Sequence, residues 1–413
     1  MINKDLIIIG AGPAGLAAAV EAKAQGIKDV LLIERDGRTG GILNQCIHDG
    51  FGVIRFSEAL SGPEYAARYY DMFKESGAEL AADTMVLSIT SDKIITAVGK
   101  NGIVKYQAKA IILAMGCRER TRGAIAVPGS RPAGIFTAGV AQNFVNLKNI
   151  NIGKKILILG SGDIGLIMAR RLTLEGAEVI AVLEKLPYSS GLPRNITQCL
   201  EDYNIPLYLS RTVVNIHGQD RLTGVTTASV DDKGNVIKGT EEYVECDTLI
   251  LSVGLIPENE LTIGAGIEMD PVTGGALVDE SMMTSADGIF ACGNALHVHD
   301  LVDFVSEESA AAAKGAAEYI ESGKRREASV NVINGDGIRY VLPRKISCER
   351  DVTISMRVAR PDRNKYIAIY AGDELIKKEK HVKLNPAEMI RIKLDAKSIE
   401  NAKETGLEVR IIG

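Results

Sequence analysis

Residues 5–34, DLIIIGAGPAGLAAAVEAKAQGIKDVLLIE, begin with the apolar run Leu6, Ile7, Ile8, Ile9, the pattern of a buried parallel strand. Gly10, Ala11, Gly12, Pro13, Ala14 and Gly15 then fit G-x-G-x-x-G, and an Ala-rich helix follows. Gly10 permits a tight turn, Gly12 lets backbone approach a pyrophosphate, and Gly15 lets helix and strand pack closely. Free N–H groups at the start of the helix face the diphosphate. A second apolar strand over residues 30–33 ends in Glu34, placed to accept a hydrogen bond from a ribose 2′-OH. Strand, glycine turn, helix, strand and terminal acid together predict a dinucleotide site.

The same unit recurs. Residues 156–184, ILILGSGDIGLIMARRLTLEGAEVIAVLE, place Gly160, Gly162 and Gly165 at a shift of 150 from Gly10, Gly12 and Gly15. Gly176 repeats Gly26 and Glu184 repeats Glu34 at that shift. Three landmarks in one register make a second dinucleotide site the expectation. Glu184 suits the two free ribose hydroxyls of NAD and repels a 2′-phosphate, although Lys185 softens the charge, so NAD(H) is expected over NADP(H).

At 413 residues the chain is long enough for two or three domains. Its net charge of −5 argues against a nucleic-acid partner, and no apolar run approaches the roughly 20 residues of a membrane span. The first strand starts almost at the N-terminus, which leaves no room for a signal peptide, so a cytoplasmic location is expected. The six cysteines, at 46, 117, 199, 246, 292 and 348, form no C-x-x-C, which supports neither a zinc site nor a disulfide framework.

Two dinucleotides in one chain imply hydride transfer between a nicotinamide and a flavin. The order of motifs resembles the two-dinucleotide-binding flavoprotein oxidoreductases, the family of thioredoxin, glutathione and ferredoxin reductases. Residues 110–116, AIILAMG, resemble the family's strand-then-ATG element, with Met115 in place of Thr. Residues 249–257, LILSVGLIP, resemble the strand that closes the NAD domain, and residues 288–294, GIFACGN, the second flavin motif, with Asn294 in place of the usual Asp. The resemblance implies an α/β architecture: two Rossmann-like domains, the FAD domain (1–120 and 265–325) interrupted by the NAD(P)H domain (121–264). A small, mostly-β C-terminal domain, 326–413, follows from the alternating strands IRYVLP, DVTISMRVA, KYIAIYAG, MIRIKL and LEVRII.

For FAD the resemblance implies Gly10, Gly12, Pro13, Ala14, Gly15, Glu34, Arg35, Gly40, Gly41, Val86, Ala114, Gly116, Gly293, Asn294 and Asp303. For NAD it implies Gly160, Gly162, Asp163, Ile164, Gly165, Glu184, Lys185 and Gly254. The Ala-rich helix that starts near Asp303 is expected to aim its N-terminus at the flavin. Residues 40–52, GGILNQCIHDGFG, lack the C-x-x-x-x-C of the glutathione type but hold Cys46 and His48, the candidates for redox chemistry. The alternatives are a cysteine packed beneath the ring and a histidine that donates to flavin or caps the loop. His297 and His299 suggest metal binding, but no further ligand accompanies them in sequence, so no metal is expected.

Residues 40–52, the stretch CGNALHVHDLVDFVSEES and the β-rich tail together resemble a narrower bacterial subfamily. Its members work beside a glycerol-3-phosphate dehydrogenase-like flavoprotein and a small cysteine-containing protein. What this implies is an electron-transfer subunit in an oligomer or hetero-complex: NAD(H), then FAD, then a partner. Alternatives are a stand-alone NADH-dependent disulfide or peroxide reductase using Cys46, a flavin-bearing assembly subunit without catalysis, and an amine or imino-acid dehydrogenase.

Overall fold

The structure, a computed structural model, describes residues Met1–Gly413. Two compact units emerge, one formed by Met1–Cys117 with Pro257–Gly413 and the other by Arg118–Ile256.

In the first unit, β1 (Ile2–Ile9) pairs in parallel with β2 (Val30–Ile33) on one side and with β6 (Gly102–Leu113) on the other. The sheet order is β3-β2-β1-β6-β5-β4, where β3 is Glu79–Ala81, β4 is Met85–Ile89 and β5 is Ile94–Gly99; Ile289–Ala291 adds in parallel to β6. Because the chain leaves β1 for β2 on one side and returns as β6 on the other, a crevice opens at the carboxyl end of β1. Helix α1 (Pro13–Ala24) covers the sheet with a face of alanines, six of its residues and Gly15 being buried. Such small side chains let helix backbone lie close to the strands. Helix α2 (Gly62–Ser76) opens on a capping box: Ser61 Oγ accepts from Glu64 N, and Glu64 accepts from Ser61 N.

The second unit repeats this plan. A five-stranded parallel sheet runs in the order Leu207–Tyr208, Glu178–Leu183, Lys155–Leu159, Thr248–Leu251, Ile135–Thr137. A three-stranded antiparallel sheet of Arg211–Gly218, Leu222–Ser229 and Glu242–Glu245 accompanies it. The polar run at Asp231 forms a turn, its carboxylate accepting from Lys233 N and Asn235 N.

Past the long helix Val302–Ser322 the chain becomes sheet-rich. One sheet joins five strands, with Leu407–Ile412 between Val330–Asn334 and Asp362–Ala371; a second joins Ile338–Leu342, Val352–Val358 and Ile390–Leu394. These strands share their own apolar core, which includes Ile354, Met356, Ile367 and Ile369. The Lys-rich stretch 377–380 lies in the edge strand Glu374–Leu384, the outer arm of a solvent-exposed hairpin with Asp362–Ala371. Lysines on an exposed edge oppose pairing with another chain, so charge and strand are compatible there. No helix is long and apolar enough to cross a membrane.

Ile354 is fully buried in the C-terminal core. Ile354→Ala should cost about 2–5 kcal/mol of stability in chemical denaturation.

Candidate functional site

Both glycine loops are closed by the same clasp. In the first, Glu34 is buried; its Oε2 accepts from Ala11 N at 2.7 Å and its Oε1 from Asp36 N at 2.9 Å. In the second, Glu184 Oε2 accepts from Ser161 N at 3.0 Å and Oε1 from Leu186 N at 2.9 Å. The two sets, 11/34/36 and 161/184/186, keep the shift of 150 found in the sequence. Each glutamate therefore fixes its own loop, beyond the ribose contact expected from sequence. Glu184 is held further by the hydroxyls of Ser161, at 2.5 Å, and Ser190, at 3.0 Å.

Gly10 and Gly160 take matching left-handed turns, with φ of 99° and 95°. A Cβ on Gly10 would lie 2.5 Å from Ala114 O, and one on Gly160 2.1 Å from Ser252 O. Gly12 and Gly162 are the N-caps of Pro13–Ala24 and Asp163–Leu174, neither with a side-chain cap, and space beside Gly12 is open. Open space over uncapped helix N–H groups is a cradle of the kind a diphosphate fills.

Around the first loop the fold gathers most of the residues expected there. Gly40 N donates to Ala11 O, and a Cβ on Gly41 would sit 3.1 Å from Gly12 Cα. Ala114 N donates to Ile9 O, and a Cβ on Gly293 would lie 2.9 Å from Ala14 Cβ. Thr84 N donates to Glu34 O, which sets the start of β4, with its buried Val86, beside the glutamate. Gly116 O accepts from Glu258 N, and Arg35 is exposed. Asn294 is tied at both ends: Oδ1 accepts from His299 N, and Nδ2 lies 3.5 Å from Cys117 Sγ.

Asp303 has a structural task that its position in sequence does not reveal. From the first turn of Val302–Ser322 its buried carboxylate accepts from Arg55 N at 2.7 Å and Gly52 N at 3.2 Å, lashing the 50–55 loop to that helix. Ser306 adds a 2.8 Å bond to Tyr65 on α2. Just before this loop come Cys46, whose carbonyl accepts from Gly62 N, and His48, whose ring lies 5.0 Å from that of Phe51. Burial pushes the Cys46 thiol up to about 12.

In the second unit, Asp163 accepts from Leu192 N and Asn195 Nδ2, so its carboxylate braces the 192–195 segment. Ile164 packs on the core, Ser252 Oγ accepts from Gly165 N, Gly254 O accepts from Arg120 N, and Lys185 is exposed.

The sequence offers no third group beside His297 and His299, but the fold does. Glu308, from the helix Val302–Ser322, meets both rings, and its Oε1 also accepts from Gly293 N at 2.8 Å. Tyr340, from the C-terminal strands, joins through a 3.2 Å contact to His297 Nδ1. Burial pushes His297 below the usual imidazole range. Neither Glu308 nor Tyr340 carries a motif, and only the folded chain brings them to the histidines.

Over residues 4–317 the sequence matches the family described as pyridine nucleotide-disulphide oxidoreductase. The chain belongs to that family. The family uses FAD and NAD(P)H, and the chain is an FAD- and NAD(P)H-dependent oxidoreductase. It is 28% identical over 327 residues to a thioredoxin reductase of Listeria monocytogenes, spanning 78% of this chain and 95% of the relative. One of the opine oxidase subunits of Agrobacterium tumefaciens is 26% identical over 319 residues, 70% of this chain and 61% of that protein. In fold the chain is similar to the crystal structure of T. acidophilum thioredoxin reductase, with a TM-score of 0.65 and 23% identity over 78% of this chain and all of the other. The family match ends before the C-terminal sheets.

Glu34→Gln must turn its NH₂ toward one of two backbone donors. FAD retention should fall about tenfold or more, read from released-flavin fluorescence, because a charged hydrogen bond is lost. Alkylation of Cys46 by iodoacetamide should still be rising at pH values well past the about 8.5 of an ordinary thiol.

Proposed function

We propose that this chain moves reducing equivalents between NADH and FAD and exchanges them with a protein partner, in the cytoplasm, rather than acting as a self-contained disulfide reductase. Cys46 carries this reading. It is the one cysteine in the 40–52 loop, no C-x-x-C or C-x-x-x-x-C exists in the chain, and its thiol stays protonated far above neutral pH. A thiolate nucleophile needs the opposite shift.

FAD would be held in the first unit by Gly10, Gly12, Gly15, Gly40, Gly41, Ala114, Gly293 and Asn294, with Glu34 fixing the loop. A carboxylate oxygen that accepts one N–H keeps a second acceptor direction, so Glu34 can clasp the loop and accept a ribose hydroxyl together. Bound FAD supplies two-electron exchange with a nicotinamide and onward transfer to other redox groups. In the second unit Gly160, Gly162 and Gly165 would admit the NAD diphosphate. Glu184, kept in place by Ser161 and Ser190, meets the adenosine ribose with a negative charge that disfavours a 2′-phosphate. The partner fits the similarity to a protein named as one subunit of opine oxidase. Chemically, that partner is a second redox protein, of which a glycerol-3-phosphate dehydrogenase-like flavoprotein is our specific candidate.

Steady-state assays of wild type and Cys46→Ser test the proposal. NADH-driven reduction of an artificial dye acceptor should be retained within about twofold in Cys46→Ser, and NADH should outperform NADPH by about tenfold, the effect of roughly 1.4 kcal/mol. Turnover with small disulfides or peroxide that collapses in Cys46→Ser would establish the stand-alone reductase instead.

A further inference from the structure

In the His297, His299 and Glu308 cluster two imidazole nitrogens converge on a single carboxylate oxygen. His297 Nε2 lies 2.7 Å, and His299 Nε2 3.4 Å, from one and the same oxygen, Glu308 Oε2. The side chains are almost sealed from solvent, at 1%, 2% and 7% exposure. His299 Nδ1 lies 3.0 Å from the carbonyl oxygen of His297. A carbonyl only accepts, so Nδ1 carries the proton, and in a neutral ring Nε2 is then a lone pair. That lone pair faces a carboxylate oxygen. The Nδ1 of His297 has the Tyr340 hydroxyl at 3.2 Å, an oxygen able to accept or to donate. Each ring thus has one nitrogen anchored by an outer oxygen while the other converges on a shared carboxylate, the outer-shell pattern of metal-bound histidine.

We propose that His297, His299 and Glu308 bind one divalent transition-metal ion of the zinc class. Imidazole nitrogen and carboxylate oxygen are zinc donors, with bonds of about 2.0–2.2 Å. In a tetrahedral shell of that size the donor atoms stand roughly 3.3 Å apart. The His299–Glu308 separation already matches; the donors all lie within 4.8 Å of one another, so only a short withdrawal of His297 is needed. A water completes the shell, as in other three-ligand sites.

The ion's position suggests its role. Glu308 Oε1 holds Gly293 N, Asn294 Oδ1 holds His299 N, and Tyr340 belongs to the C-terminal strand Ile338–Leu342. The ion would pin the Gly293–Asn294 turn and the C-terminal sheet to one point. Its binding requires no electron-transfer partner.

The test is metal content of the FAD-loaded full chain, purified without chelators, followed by chelator extraction and titration with zinc chloride against a chromophoric competitor. About one equivalent per chain should be retained or rebound saturably, and X-ray absorption should report nitrogen and oxygen donors near 2.0–2.1 Å without sulfur. Tyr340→Phe, which removes an outer oxygen, should weaken binding by about 10–100-fold, and His299→Ala by at least as much. His217→Ala, in the Arg211–Gly218 strand, should leave it unchanged. Wild-type chain that neither retains metal nor binds zinc saturably would overturn the proposal and leave a proton as the bridge. Binding that survives His299→Ala undiminished would also overturn it. Because the wild-type titration stands alone, a variant that fails to fold does not spare the proposal.

Discussion

A carboxylate that closes its own glycine loop is the contact on which the rest of this protein depends. A loop able to admit a diphosphate must present bare N–H groups and carry no side chains over its mouth, so it has little to hold it in shape. Glu34 and Glu184 supply what is missing: each takes one N–H from the loop and another from the turn beyond its own strand. A buried carboxylate that accepts two backbone hydrogen bonds offsets its desolvation and rigidifies two segments together. Because the clasp is built into the strand end, it travels with the Rossmann unit, and both copies have it.

A second level of constraint works through the helix Val302–Ser322. Its first turn grips the 50–55 loop through Asp303, its second reaches α2 through Ser306, and Glu308 holds Gly293 and the two histidines. One helix thus references the Cys46 loop, the Gly293–Asn294 turn and, through Tyr340, the C-terminal sheets to a common frame. Its buried polar side chains are matched to partners on several elements, as a polar network in a core must be.

Much of this was legible in the sequence because its cause is local. Turn geometry demands glycine, a buried parallel strand demands an unbroken apolar run, and a helix laid close to a sheet demands alanine; these leave a pattern readable over thirty residues. The C-terminal strands were legible through alternation, except Val330–Asn334, the short Lys345–Ile346 and Glu374–Leu384, the last a charged sheet edge that departs from the usual pattern. What could not be read was long-range. Glu308 lies eleven residues from His297 on another element and Tyr340 forty-three residues away, with no spacing rule to join them. Asp303 had a position in sequence but no visible partner, because Gly52 and Arg55 offer only backbone N–H groups. Cys46 was ambiguous for a related reason: thiol acidity is set by surroundings, and only the folded chain shows the burial that raises its pKa.

Two clasped loops that form two working dinucleotide sites should exchange electrons on one chain, as we propose. Anaerobic rapid mixing of the FAD-loaded chain with NADH deuterated at nicotinamide C4 tests it most directly. The visible absorbance of oxidised flavin should be lost without any partner present, and more slowly with deuterated than with ordinary NADH. Flavin that stays oxidised, while NADH still binds, would contradict it.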